Sequence, residues 1–271
     1  MLTSQMKRVL SAIVFLPFFL LILIKGASFH FFLIVLLTSI VGIGEFFSFK
    51  KDFISGDLKA FGYLWAALIL IAAFLGDYLY INVALAGGVV ISLFLVLRRK
   101  YDFRLVIDDI GFLFTAVLYV AFLMSHLLFI REMPGGGLFV LFLFVMIWSN
   151  DTLAYYTGMT IGKRKLYPEI SPGKSIEGFV GGFAGTITAS VIFSRLFLSE
   201  FRLTDSILIG IIIGIIGPLG DLCESMFKRA YGVKDSGSVI PGHGGILDRV
   251  DSLLLSAPVM YFFLIIRGYG G

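Results

Sequence analysis

Asp221, Glu224, Ser225 and Lys228 stand at i, i+3, i+4 and i+7 in the segment GPLGDLCESMFKRA, so a helix through them carries all four on one face. Asp248 and Asp251, three apart in GGILDRVDSLLL, share a face of the next helix. Asp221 precedes Lys228 by roughly 10 Å of helical rise, and the second pair opens its helix. Two antiparallel helices joined by the intervening loop therefore bring the carboxylates to a similar depth. Converging carboxylates repel one another unless a cation intervenes. Mg²⁺ suits them, because it prefers oxygen ligands and commonly takes one or two carboxylates with substrate phosphates. On this reading Asp221 and Asp248 bind the ion directly, while Asp251 binds it or orients the other ligands. An ion-pair network with Lys228, Arg229 and Arg249 is the alternative, and spacing alone leaves both open.

The loop between these stripes has the composition of a phosphate site. Gly232, Gly237, Gly242, Gly244 and Gly245 allow close backbone approach and expose N–H donors. Lys228, Arg229, Lys234 and Arg249 bring positive charge, and His243 can donate a hydrogen bond or exchange a proton. A second segment, WSNDTLAYYTGMTIGKRK, carries Asn150 and Asp151 near a helix end, with Tyr155 one turn after Asp151. The segment SPGKSIEGFVGG follows, where Ser175 suits the N-cap of a helix and Lys174 sits beside its positive end. It is not a Walker loop, since the earlier glycine is missing.

The elements that must position these groups are membrane helices. Of the 271 residues, 58% are hydrophobic and 15% charged, against about 25% charged in a soluble domain. The apolar runs suggest an all-α polytopic membrane protein with about nine spans near 9–25, 28–49, 61–77, 79–97, 109–130, 137–157, 176–198, 206–227 and 250–267. The first is read as a retained helix broken near Pro17, not a cleaved signal. With the N-terminus inside, 17 of the 22 Lys and Arg residues fall on the cytoplasmic side, so the expected orientation is N-in, C-out. Residues 1–140 read as generic spans. Residues 141–271 read as the catalytic part, with cytoplasmic loops at about 158–175 and 228–249. Gly178, Gly181, Gly182, Gly185, Gly210, Gly214 and Gly217 are spaced for close helix packing. The lone Cys223 excludes an internal disulfide. The net charge of +4 is accounted for by cytoplasmic loops and implies no nucleic acid.

Ser225-Met-Phe-Lys-Arg, then Lys234-Asp235, Gly237, Ile240-Pro241, His243-Gly-Gly-Ile and Asp248-Arg249-Val-Asp251 resembles the signature of the phosphatidate cytidylyltransferases, the CDP-diacylglycerol synthases. SNDTLAYYTG and SPGKSIEG are similar to two further motifs of that family, in the same order. Gly173 departs from the lysine that many members carry. The resemblance implies transfer of a cytidylyl group from CTP to phosphatidic acid, giving CDP-diacylglycerol and pyrophosphate, with Mg²⁺ as one ion or two. It implies an inner-membrane enzyme with its site facing the cytoplasm, and is compatible with a homo-oligomer. Residues and resemblance together nominate Asp221, Asp248, Asp251, Lys228, Arg229, His243 and Arg249 as catalytic. They nominate Asn150, Asp151, Lys174, Ser175, Glu224, Ser225, Lys234 and Asp235 for substrate. The rival from another class is an ion-coupled transporter using the buried carboxylates.

Overall fold

A computed structural model describes residues 17, 19–23, 25–50, 56–98, 103–237 and 244–270. Among these, eight helices are long and apolar enough to cross a membrane. They correspond to eight of the nine expected spans. The first, 9–25, lies mostly outside the described residues, as does His243. The helices are α1 (Ser28–Phe49), α2 (Gly56–Phe74), α3 (Tyr78–Leu97), α4 (Phe103–Ala116) continuing through a π-helical turn (Val117–Phe122) into α5 (Leu123–Glu132), α6 (Gly136–Ile161), α7 (Ile176–Phe197), α8 (Leu203–Ala230) and α9 (Leu247–Ile266). Between α6 and α7 the chain forms a short antiparallel hairpin, β1 (Lys165–Tyr167) and β2 (Ser171–Ser175), pairing Lys165 with Ser175 and Tyr167 with Ser171. The sequence predicted only a loop there.

Helix is the form these runs can take in lipid, because it satisfies backbone groups within the segment. The ends are set by local chemistry. The Asp77 carboxylate accepts the N–H of Leu79 at 2.7 Å and caps α3. Ser175 caps α7 by accepting the N–H of Gly178 at 3.1 Å, as its position predicted. Helix α8 stops in a Schellman motif: Val233 N–H bonds Lys228 C=O at 2.9 Å and Gly232 N–H bonds Arg229 C=O at 3.1 Å. Gly232 adopts φ +68°, which favours glycine. The chain thereby turns sharply from α8 into the motif loop.

Small residues set the helix spacing around the site. A Cβ on Gly182 of α7 would lie 2.8 Å from Asn150 O and 2.9 Å from Ala154 Cβ on α6. One on Gly210 or Gly214 of α8 would lie 2.9 Å from Ile187 Cα or Phe183 Cδ2 of α7. One on Gly220 would lie 2.6 Å from Asp251 O on α9. Six of the seven glycines expected to pack helices do so, whereas a Cβ on Gly217 would meet only Ser256 Oγ at 3.9 Å. The core of α1, α4 and α5 is aromatic and continues into the motif region. Phe46 meets Phe227 at 5.5 Å between ring centroids and Phe112 at 5.2 Å, and Phe112 meets Tyr231 at 5.2 Å. The same end holds Lys50 between Asp108 and Asp109. Burial there disfavours the Lys50 ammonium, yet its bonds to the two aspartates outweigh this and hold its pKa above the ordinary lysine value.

Candidate active site

The ends of α6, α7 and α8 and the β-hairpin enclose a cavity of about 560 Å³. Its polar lining includes Asn150, Asp151, Lys174, Ser175 and Asp221, and its apolar lining includes Leu166 and Phe179. Lys174 projects from β2 and reaches Asp221 on α8, with Nζ 2.7 Å from Oδ2. Ser225 donates its hydroxyl to Asp221 Oδ1 at 3.3 Å. Asp221 nevertheless remains about a third exposed, with 34% of its side chain accessible, and a carboxylate has about four acceptor sites. The close approach at Gly220 lays the backbone of Asp251 against α8. Asp151, Asp221 and Asp251 are consequently electrostatic neighbours drawn from three helices.

Asp248 has different partners. Its Oδ1 takes the Lys228 ammonium at 2.5 Å, and its Oδ2 accepts the N–H of Ser236 at 3.1 Å and of Gly245 at 3.0 Å. Lys228 also donates to Glu224 Oε2 at 3.0 Å. The ion-pair alternative thus describes Lys228, Glu224 and Asp248. Among the described residues no three His, Cys, Asp or Glu side chains form a group that could hold a metal ion by themselves. Glu224 Oε1 and the Tyr119 hydroxyl are buried with no hydrogen-bond partner. Tyr119 comes from the π-helical turn and packs its ring 5.2 Å from that of Phe227, which lies one turn from Glu224.

Other nominated residues tie elements together. Asn150 is buried, and its Nδ2 donates to Thr186 Oγ1 at 2.8 Å and to Gly214 C=O at 3.3 Å. That carbonyl is available because Pro218, four residues later, has no N–H to offer it. Arg229 donates from Nε to Ile170 C=O and from its terminal nitrogen to Val233 C=O, each at 3.3 Å, linking the hairpin to the end of α8. Arg249 is exposed and lies within electrostatic reach of Asp151. Lys234 and Asp235 are exposed on the loop.

Two residues were missed from the sequence. Tyr119 gave no signal, being one aromatic residue among many. Glu45 did give one: it is an acid inside the apolar segment VGIGEFFSF. A charge within a span is costly and calls for a task. Glu45 is buried and accepts hydrogen bonds from Ser236, Ile246 and Leu247.

The arrangement is therefore a cavity lined by a lysine, a capped helix N-terminus and carboxylates, with Lys174 paired to Asp221 at one wall. A model of the cytidylyltransferase family matches residues 6–267. The chain is 34% identical over 265 residues to a phosphatidate cytidylyltransferase of Staphylococcus haemolyticus, covering 95% of this chain and 98% of that protein. It is 34% identical over 267 residues to one of Staphylococcus aureus, with the same coverage. It is also 43% identical over 158 residues to one of Bacillus subtilis, an overlap that takes in 58% of this chain and 59% of that protein. With a family model spanning almost its whole length and a third of its residues shared with full-length relatives, the chain belongs to the cytidylyltransferase family.

Proposed function

We propose that this protein transfers the cytidylyl group of CTP to phosphatidic acid, releasing pyrophosphate and forming CDP-diacylglycerol, at the cytoplasmic face of the inner membrane. The observation that carries this reading is the cavity that joins Lys174 and the capped N-terminus of α7 to the Asp221 carboxylate. An oxygen of the lipid phosphate attacks the α-phosphorus of CTP. The bond from that phosphorus to the oxygen bridging the α- and β-phosphates breaks, and its electrons leave with pyrophosphate. No protein nucleophile is needed. The work left to the protein is positioning and charge neutralisation, as in phosphoryl transfer generally.

Lys174 is the side chain suited to receive phosphate, since its present partner Asp221 lies at the same cavity wall. The N-terminal turn of α7 adds its dipole. Apolar groups such as Leu166 and Phe179 give the same cavity a surface that tolerates lipid. The donors suit Mg²⁺: Asp221 offers exposed, hard carboxylate oxygen, with Asp251 and Asp151 beside it. Bound there, Mg²⁺ supplies positive charge to the crowded phosphates. Asp248, with its oxygens on Lys228 and two backbone N–H groups, is assigned to holding the loop instead.

The purified full chain in mixed detergent–lipid micelles should release pyrophosphate only when CTP and phosphatidic acid are both present. Release without the lipid, or none with both substrates and Mg²⁺, overturns the reading. An ion-coupled transporter gains no support, because the cavity and the carboxylates gather at one end of the helices.

A further inference from the structure

The start of α9 is held by a helix remote in sequence. Its N-cap residue, Ile246, provides no side-chain cap. The first N–H groups of a helix have no partner within it and must find one elsewhere. Here Glu45 of α1 supplies it. Glu45 Oε1 accepts the N–H of Ile246 at 2.9 Å, and Oε2 accepts the N–H of Leu247 at 2.8 Å and the Ser236 hydroxyl at 3.0 Å. Ser236 Oγ accepts the next helical N–H, that of Asp248, at 3.3 Å. Asp248 Oδ2 returns to the N–H of Ser236 at 3.1 Å. Ser236 and Asp248 thus form a reciprocal pair like a capping box, assembled across the loop, with Glu45 behind it.

Two glycines of the motif make room for Glu45. A Cβ at Gly237 would lie 2.6 Å from Glu45 Oε1, and one at Gly245 would lie 2.6 Å from Oε2. This contact gives Gly237 and Gly245 a packing role in addition to the ligand approach expected from sequence. Glu45 itself is only 5% exposed. A buried carboxylate is retained at a helix start where it meets several donors and the positive end of the helix dipole.

We propose that Glu45 is a positioning residue for cytidylyl transfer. It pins both ends of the motif loop, through Ser236 and through Ile246–Leu247, so that Asp248 holds Lys228 and the loop presents Lys234 and Asp235 toward substrate. This role rests on the function proposed above. It makes the N-terminal half of the chain part of the site, not only a set of spans.

The test compares full-length wild type with Glu45→Gln, Glu45→Asp and Glu45→Ala in lipid micelles. Three quantities are read: pyrophosphate release, the melting temperature, and hydrogen exchange of residues 233–249 by mass spectrometry. Glu45→Gln keeps the shape but sets an amide donor against backbone donors. Its turnover should fall about 10–100-fold, the range known for residues that orient a site from behind. KM for CTP should change little, because Lys174 is untouched. Exchange should rise in the loop and first turn of α9 while α6 and α7 stay protected. Glu45→Asp should restore part of both the rate and the protection. Asp205→Asn is the comparator, since Asp205 is buried at the other end of α8 and pairs with Arg267 at 2.6 Å. It should lower the melting temperature without speeding loop exchange. Wild-type turnover and unchanged exchange in Glu45→Gln overturn the proposal. So does a loss of rate that only tracks unfolding along the whole chain and is not relieved by aspartate. If the wild type itself makes no pyrophosphate, the function reading fails, and loop exchange alone decides whether Glu45 pins the loop.

Discussion

At the level of single residues, Asp221 and Asp248 look alike in the sequence and differ in their surroundings. Asp221 faces the cavity beside Lys174, whereas Asp248 has both oxygens engaged by Lys228 and backbone N–H groups. Replacing each by asparagine should separate the two roles. Asp221→Asn should stay folded, lose most turnover and require more Mg²⁺ for what remains. Asp248→Asn should leave the Mg²⁺ requirement near wild type but lower the melting temperature, because Lys228 would keep Glu224 as its one remaining charged partner among the described residues. Pyrophosphate release titrated with Mg²⁺, alongside a thermal melt, checks both. Equal shifts in Mg²⁺ requirement would place Asp248 among the ligands after all. Spacing made the acids visible in the sequence. It could not say which oxygens were already engaged, because the competing donors come from Ser236 and Gly245, outside both helical stripes.

Among elements, the contact of α8 with α9 decides where the carboxylates stand. Gly220 is the point of closest approach, and the atoms facing it are the Asp251 backbone oxygen and Ser252 Cα. Backbone cannot turn aside as a flexible side chain can. Gly220→Ala should therefore push the helices apart next to Asp221 and reduce turnover. The measured cost in stability should stay within the 1–3 kcal/mol usual for overpacking. A Gly220→Ala variant with wild-type turnover would show that the separation of α8 and α9 is not critical to the site. The β-hairpin works at the same level. Glu177 on α7 accepts the N–H groups of Lys163 at 3.1 Å and Arg164 at 3.2 Å, and Ile176 N–H bonds Arg164 C=O at 2.9 Å. These bonds fold the segment back on α7 and bring Lys174 to Asp221.

For the whole molecule, the polar groups sort to the two ends of the helices. One end carries Lys50 with Asp108 and Asp109, the hairpin, the motif loop and the cavity. The other carries Asp205, which binds Arg267 at 2.6 Å and the Tyr269 hydroxyl at 2.7 Å. Large apolar side chains such as Leu79, Val83, Val90, Phe94 and Leu97 are exposed along α3, as expected of a lipid-facing helix. The proposed orientation puts the cavity end in the cytoplasm, where CTP is available. With Cys223 replaced by serine and a single cysteine at the exposed position 234, an impermeant thiol reagent should fail to label sealed right-side-out vesicles and succeed once they are opened. Strong labelling of intact vesicles would reverse the topology.

The sequence by itself determined the membrane class, eight of the spans within a few residues and the cap at Ser175. These follow from local properties: length of apolar run, side-chain periodicity and the preference of serine for a helix start. The π-helical turn, the hairpin register and the different partners of Asp248 and Asp221 were decided only by tertiary structure. So was the reach of Glu45 across 191 positions to Ser236. Each depends on which helix lies beside which, and on how closely glycine lets them approach. A carboxylate's partners are chosen by the three-dimensional competition for its lone pairs, and periodicity along one chain contains no term for that competition.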